Sequence, residues 1–113
     1  MKSIRNKSFN LNINGEAVPG SYADLLRQCV NAPTRDGFTV DDMTHALAVR
    51  KAVDAAGKDK PILLEDAAYV YAQKRVREMR WAIADQEIIH FVAAFDAATN
   101  VEVEAKTSTR KRG

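Results

Sequence analysis

The chain has 113 residues, of which 46% are apolar, so its size and composition are those of one ordinary folded domain rather than a disordered segment. Its formal net charge is +2, and the excess lies in residues 99–113, because residues 1–98 contain 13 basic and 13 acidic side chains. This neutral body argues against a dedicated nucleic-acid-binding domain, in which basic charge usually covers one face of the fold.

The single cysteine, Cys29, excludes an internal disulfide bond, which is typical of proteins from a reducing compartment. The N-terminal residues are basic but lack the apolar centre of a secretion signal. No apolar run approaches the length that a membrane-spanning helix requires. We therefore expect a cytoplasmic protein that has no membrane partner.

The N-terminal region carries a hairpin pattern. Apolar and polar residues alternate over residues 8–13, which predicts a short strand with one buried face. The following Asn14-Gly15 is a strong signal for a tight hairpin turn, because both positions tolerate positive φ. The return strand is expected over residues 16–18, since Pro19-Gly20 would stop it. A lone hairpin is only marginally stable, so we expect it to lie on the rest of the fold, or its open edge to dock another chain.

Most of the remaining chain is predicted to be helical. Ser21, Thr39 and Asp85 can each cap a helix, and Pro33 and Gly57 follow two of the predicted helices as stop signals. The four helices are predicted at about residues 22–31, 40–56, 65–84 and 86–98. The short apolar run before the third helix (Ile-Leu-Leu) is consistent with either a small strand or the lead into that helix.

The third and fourth helices carry most of the large apolar side chains. In the third, such residues recur at spacings of 3 and 4, which is typical of a helix that packs lengthwise on another helix. This 69–83 stripe consists of Tyr69, Ala72, Val76, Met79 and Ile83. The fourth helix presents Ile88, Phe91, Val92 and Phe95 on one face.

These patterns predict a mainly α fold of the α+β class, with about four helices and a short N-terminal β-hairpin packed against them. Residues 1–98 are expected to form a single helical domain, and residues 99–113 a flexible basic tail.

Two carboxylate–histidine pairs have the spacing of metal ligands on a helix, namely Asp42 with His45 and Glu87 with His90. Di-metal carboxylate bundles use two such pairs, but they require Glu where Asp42 stands. Asp42 also has a role as an acidic residue in the first turn of its helix, and His90 lies beside an apolar stripe. We therefore expect neither a metal site nor a cofactor.

A basic stripe of Lys74, Arg77 and Arg80 recurs at every third position, with Arg75 and Trp81 beside it. It can be interpreted as a surface for phosphates or an acidic partner, or as an ordinary solvated helix face. The tail likewise suits either nucleic-acid binding or solubility alone. Its cationic residues are Lys106, Arg110, Lys111 and Arg112.

Several activities find no support in the sequence. The helix–loop–helix over residues 22–56 has too long a loop for a DNA-binding helix-turn-helix, and Asp41 and Asp42 would repel phosphate at its second helix. The glycines are scattered rather than gathered in a phosphate loop, and there is no nucleophile elbow and no Cys/His cluster. We expect no enzymatic activity and no small-molecule substrate.

The layout of residues 9–96 resembles that of small uncharacterised proteins carried by bacteriophages and prophages. The shared elements are the Asn14-Gly15-Glu16 turn, a helix over residues 22–30, a helix over residues 44–53 and the Pro61-to-Asp66 entry into a long helix. The Arg-rich segment over residues 75–81 departs from that layout. The resemblance implies a non-enzymatic accessory protein that works through protein contacts, and it supplies no catalytic residue.

The leading hypothesis is therefore a protein that binds another protein, of host or phage origin, or itself. The anchors would be Tyr69, Val76, Met79 and Ile83 if the 69–83 stripe is an interface, with Arg77, Arg80 and Trp81 at its rim. The sequence leaves open whether this stripe is internal or shared between chains. The alternative is a nucleic-acid-associated regulator that uses Arg75, Arg77, Arg80 and the basic tail.

Overall fold

The computed structural model describes residues 1–57, 60–81 and 83–101, of which 52% are helical and 20% lie in strands. The strands are β1 (Lys2–Ile4), β2 (Ser8–Ile13), β3 (Glu16–Ser21), β4 (Ile62–Leu64) and β5 (Thr99–Asn100). The helices are α1 (Tyr22–Asn31), α2 (Val40–Ala56), α3 (Asp66–Glu78) and α4 (Gln86–Asp96). The α+β class and the four helices are thus confirmed.

The strands form two separate sheets rather than only the predicted hairpin. One is the antiparallel pair of β2 and β3, and the other places β1 between β4 and β5, antiparallel to both. The ambiguous Ile62–Leu64 segment is therefore a strand, β4. Neither β1 nor β5 has a sequence signal of its own. Each is very short, and its hydrogen-bonding partner lies far along the chain, so no local pattern marks it as a strand.

The hairpin turn has the backbone that Asn14-Gly15 predicts, with φ of 52° and 84° at the two positions. The return strand, however, continues through Pro19 instead of stopping before it. Pro19 lies opposite Asn10. Counting from the turn, this is a position where the paired residues do not exchange backbone hydrogen bonds, so the missing N–H of proline costs the sheet nothing.

The third helix is shorter than predicted. It ends at Glu78, and Met79 adopts an extended backbone with ψ of 132°. Met79, Trp81 and Ile83 still pack against the core, but from a non-helical connection. The predicted helix over residues 65–84 is therefore wrong in its last part, because packing of these side chains overrides the helical spacing.

The folded part continues past the predicted boundary at residue 98. The strand β5 pairs with β1, and the backbone N–H of Val101 donates to the carbonyl oxygen of Met1 at 2.9 Å. The predicted tail residues from 102 onward, with all four of their cationic side chains, lie outside the described residues. Among the helices that the structure describes, none has the length and apolar content needed to cross a membrane.

The core forms where all four helices meet the three-stranded sheet. Its largest fully buried side chains are Phe91, Phe95, Ile4, Leu25, Leu26, Ile62, Leu64, Val30, Val49 and Cys29. Tyr69 and Val76 are only 6% and 2% exposed, and Ala72 is fully buried. The N-terminal part of the 69–83 stripe is therefore internal to this chain.

Candidate functional site

A groove of about 800 Å³ lies between the loop that joins α1 to α2 and the C-terminal half of α3. Its apolar contributions come from Pro33, Tyr71 and Met79. Its walls also carry four cationic and three acidic side chains, which are Arg35, Lys74, Arg75, Arg80, Asp36, Asp42 and Glu78. Because the lining includes both signs of charge, the groove does not present the uniform positive surface that a phosphate backbone requires.

Arg75 holds the two walls of this groove together. Its Nη2 donates to the carbonyl oxygen of Ala32, where α1 ends, and its Nη1 lies 3.5 Å from Glu78 Oε1. The guanidinium also sits over the ring of Phe38, 5.6 Å from the ring centre. Because the Arg75 side chain is only 8% exposed, its charge serves the fold, and it is not a surface contact for phosphate as the nucleic-acid alternative supposed.

The other cations of the predicted basic surface remain at the exterior. Lys74 and Arg80 are exposed beside the groove, whereas Arg77 turns toward α4, with its Nη2 3.7 Å from Asp96 Oδ1. The basic stripe is thus divided, because Lys74 and Arg80 lie beside the groove and Arg77 faces α4. A role for Arg77, Arg80 and the tail in nucleic-acid binding stays a prediction.

The residues predicted as interface anchors are dispersed. Met79 and Arg80 line the groove, while Trp81 contacts Phe91 edge-to-face at a ring-centre distance of 6.4 Å. Ile83 is half-buried against the core. With Tyr69 and Val76 inside the chain, the seven predicted positions do not form one continuous surface.

The two carboxylate–histidine pairs are occupied by local contacts. Asp42 accepts a hydrogen bond from the backbone N–H of Thr39 at 3.2 Å, completing a capping box at the start of α2. His45 lies closer to Asp41, at 3.7 Å, and stacks on the ring of Tyr71. In α4, His90 and Glu87 lie 3.4 Å apart. Among the described residues, no group of three or more potential metal ligands converges.

Burial raises the pKa of two weakly acidic side chains, Tyr71 beside the groove and Cys29 in the core. Burial raises the pKa of Tyr71, an effect that Arg75 opposes and that Asp42 and Glu78 reinforce. The phenol is therefore neutral at physiological pH and available as a hydrogen-bond donor. Cys29, the one thiol, is fully buried, and burial raises its pKa to about 12, so its thiolate is not populated as a nucleophile.

A second surface lies on α2, where three large apolar side chains point away from the core. Val40, Met43 and Leu47 are 79%, 48% and 57% exposed. They are spaced i, i+3 and i+7, which places them along one side of the helix, here named the outward face of α2. Within the part of the chain that the structure describes, this apolar stripe stays exposed.

The outward face was not predicted from the sequence, although the residue pattern of α2 contains a partial signal for it. The residues of α2 that pack inward are Ala46, Val49, Val53 and Ala56, which are mostly small. The helix is thus apolar on two sides, and the smaller side chains mark the side where a neighbour approaches closely. The larger ones are left outside.

Charged residues lie beside the outward face of α2 in its C-terminal half. Arg50 and Lys51 are exposed there, each about 50° around the helix from the apolar row, whereas Asp41 lies roughly 130° from the row and beside His45. Asp54 is already engaged, because its Oδ1 lies 2.8 Å from Arg27 Nη2 on α1. The outward face is therefore flanked by two cationic side chains toward its C-terminal end.

No protein-family model matches this chain, and no match was found among curated proteins or solved structures. The candidate site is accordingly defined by the geometry and chemistry of this chain alone. The resemblance to small phage proteins stays a prediction.

Proposed function

We propose that this protein is a small, non-enzymatic interaction protein that binds an amphipathic helix of another protein along the outward face of α2. The observation that carries this proposal is the exposure of Val40, Met43 and Leu47 on one side of a capped helix of 17 residues. Exposed apolar residues are common singly, but a row at helical spacing is the arrangement that a second helix covers.

The energetics support a specific but moderate complex. Fully burying a side chain of this size yields roughly 1.5–3 kcal/mol, and because the three residues are 79%, 48% and 57% exposed, covering them supplies on the order of 3–5 kcal/mol before the cost of association. Partner residues around the row would add to this. The helix itself needs no reorganisation, because Thr39 and Asp42 already fix its start.

The charges favour an antiparallel partner. Helices commonly carry acidic residues in the first turn and basic residues in the last, as their dipole prefers. An antiparallel helix would place its acidic first turn beside Arg50 and Lys51. Such a helix meets opposite charge at the C-terminal end of the outward face.

The test uses a displayed library of amphipathic helical peptides, selected for binding to the full chain, with affinities measured by fluorescence anisotropy. We expect Leu47→Asp to weaken the selected peptides at least tenfold, because a carboxylate would be buried against apolar side chains. The matched control is Val70→Asp, which changes a residue of similar exposure (64%) on α3.

Circular dichroism establishes that both variants are folded. Peptides that bind Leu47→Asp as well as they bind the unchanged protein, or that are lost on Val70→Asp instead, would overturn the proposal. Failure of the library to yield any binder would do the same.

A further inference from the structure

The connection between α3 and α4 has an unusual composition for a break between helices. From Ile62 to Val101 the sequence contains no glycine and no proline, and residues 79–84 (Met-Arg-Trp-Ala-Ile-Ala) include several good helix formers. The 69–83 stripe also continues its helical spacing straight through this break. The local sequence thus favours one long helix, whereas the fold contains two.

Contacts from Asp85, Trp81 and Ile83 hold the break. Asp85 caps α4 by accepting a hydrogen bond from the N–H of Glu87 at 2.9 Å, and it accepts another from the N–H of Asn12 in β2 at 3.3 Å. Trp81 and Ile83 pack at the edge of the core, where each remains partly exposed. Local preference and tertiary packing therefore compete within this connection.

A continuous helix would not return both apolar faces to the same core. At about 100° of rotation per residue, the face formed by Ile88, Phe91 and Phe95 would lie roughly 100° around the helix from that formed by Tyr69, Ala72 and Val76. The α4 face would then point away from the core that α3 occupies. It could be buried only by a second core of the same shape.

We propose that α3 and α4 can join into one helix that carries α4 into the core of a second copy of this chain, giving a dimer by reciprocal exchange. Each exchanged α4 would find the partners it has now, including the stacked pair of Tyr69 and Phe95 and the contact between Gln73 and Asp96. The free energy of exchange is then set mainly by the connection and by protein concentration. The outward face of α2 takes no part, so this inference is independent of the proposed function.

A proline at position 86 separates the two states. Gln86 is the first residue of α4, where proline is tolerated, and Asp85 before it has the extended backbone (φ −142°, ψ 140°) that a following proline requires. Within a continuous helix the same proline would remove a hydrogen bond and clash with the preceding turn, which disfavours that state by about 100-fold. The matched control is Gln86→Ala.

The experiment refolds the full-length protein at high concentration and measures mass by light scattering behind a sizing column. We expect a dimer fraction for the unchanged protein and for Gln86→Ala, and at least a tenfold smaller fraction for Gln86→Pro. Asp85→Ala, which removes the cap that holds the break, should increase the dimer fraction severalfold.

Cross-linking distinguishes exchange from other forms of dimer. In a Gln73→Cys, Asp96→Cys variant, the two positions are neighbours within one chain of the monomer, where Gln73 Nε2 and Asp96 Oδ1 lie 3.1 Å apart. A short bis-maleimide should join them within a chain in the monomer fraction and between chains in the dimer fraction, doubling the mass on a denaturing gel. Cys29 does not compete, since it is fully buried.

Dimers that cross-link only within chains would overturn the proposal. The proposal would also be overturned if the unchanged protein, the Gln86→Ala variant and the Asp85→Ala variant all stay monomeric. If Gln86→Pro fails to fold, which circular dichroism would detect, the cross-linking pattern and Asp85→Ala still decide the question.

Discussion

The Arg75 guanidinium reaches from α3 to the carbonyl oxygen of Ala32 at the end of α1, with an Nη2-to-oxygen distance of 2.5 Å. The last carbonyls of a helix lack partners within the helix and carry the negative end of its dipole. A cation placed there satisfies one of them and stabilises the helix end. Arg75 thereby fixes the α1–α2 loop against α3 and shapes the groove between them.

The first prediction compares two arginines that lie two residues apart. Arg75→Ala should lower the free energy of unfolding by about 2 kcal/mol, because it removes a charged hydrogen bond and leaves a partly buried carbonyl without this donor. Arg77→Ala should change it by less than about 0.5 kcal/mol, since its side chain is 63% exposed and its ion pair is solvated. Urea denaturation followed by circular dichroism measures both. Equal effects of the two changes would show that the bond from Arg75 to the Ala32 carbonyl does not stabilise the fold.

The second prediction concerns the contact between α3 and α4. The Tyr69 hydroxyl donates to the carbonyl oxygen of Phe95 at 2.6 Å in the buried interior. Tyr69→Phe keeps the ring stacking and removes only this bond, so we expect a loss of about 1 kcal/mol. Tyr71→Phe is the control at a partly exposed ring, with an expected change near zero. A thermal or urea unfolding series in which Tyr71→Phe costs as much as Tyr69→Phe would contradict the assignment.

The third prediction separates the two apolar sides of α2. Leu47→Ala on the outward face should change the free energy of unfolding by less than about 1 kcal/mol, because Leu47 is 57% exposed and its removal leaves no enclosed cavity. Val53→Ala on the inward side should cost about 1–3 kcal/mol, since Val53 is 2% exposed and leaves a cavity. Chemical denaturation gives both values. A large cost for Leu47→Ala would mean that this side chain already has a partner within the chain.

The fourth prediction is that the Cys29 thiol is inert in the folded protein. It is fully buried, and burial raises its pKa to about 12, so almost no thiolate is present at pH 8. Iodoacetamide should therefore label it only as fast as the protein opens, and at once in strong denaturant. Mass spectrometry over time measures the rate. Rapid labelling of the native protein would place the thiol at the surface.

The fifth prediction follows from the three tyrosines. Burial raises the pKa of Tyr22, Tyr69 and Tyr71 above the ordinary value of 10.0. An acid whose pKa is higher in the folded state than in the unfolded state stabilises the fold below the unfolded pKa, and this contribution is lost as pH rises through the folded pKa. Stability should therefore decline above about pH 10, and replacing all three by Phe should reduce that decline. Urea midpoints measured between pH 8 and pH 11 check this, and a tyrosine-free variant with the same slope would refute it.

Helix starts and the hairpin turn could be predicted from the sequence because their determinants are local. Ser21 accepts from the N–H of Asp24, Thr39 forms a capping box with Asp42, and Asp85 accepts from Glu87. Each bond joins residues no more than three positions apart, so the partner is visible in the sequence itself. The positive φ of Asn14 and Gly15 is a property of those residue types at a turn.

The candidate site depended on information that the sequence does not display. The sequence shows that α2 is apolar on two sides, but only the position of α2 against its neighbours leaves Val40, Met43 and Leu47 outside. Arg75 looks like its exposed neighbours, yet its partner at Ala32 lies 43 residues away. Burial is a relation between distant segments, so a periodic pattern can mark a face without telling whether another part of the same chain covers it.

The sequence by itself determined the class of the fold, the number of helices, where each begins and the place of the hairpin turn, because hydrogen bonds and backbone preferences within a few residues suffice for these. Tertiary structure alone decided that α3 stops at Glu78, that β1 lies between β4 and β5, and that Tyr69 and Val76 are internal. At the end of α3, the local preference of the sequence for helix and the packing of the tertiary structure disagree. The packing of Met79, Trp81 and Ile83 against the core outweighs a local preference for helix, since burial of large apolar side chains exceeds the few tenths of a kcal/mol that propensity contributes per residue.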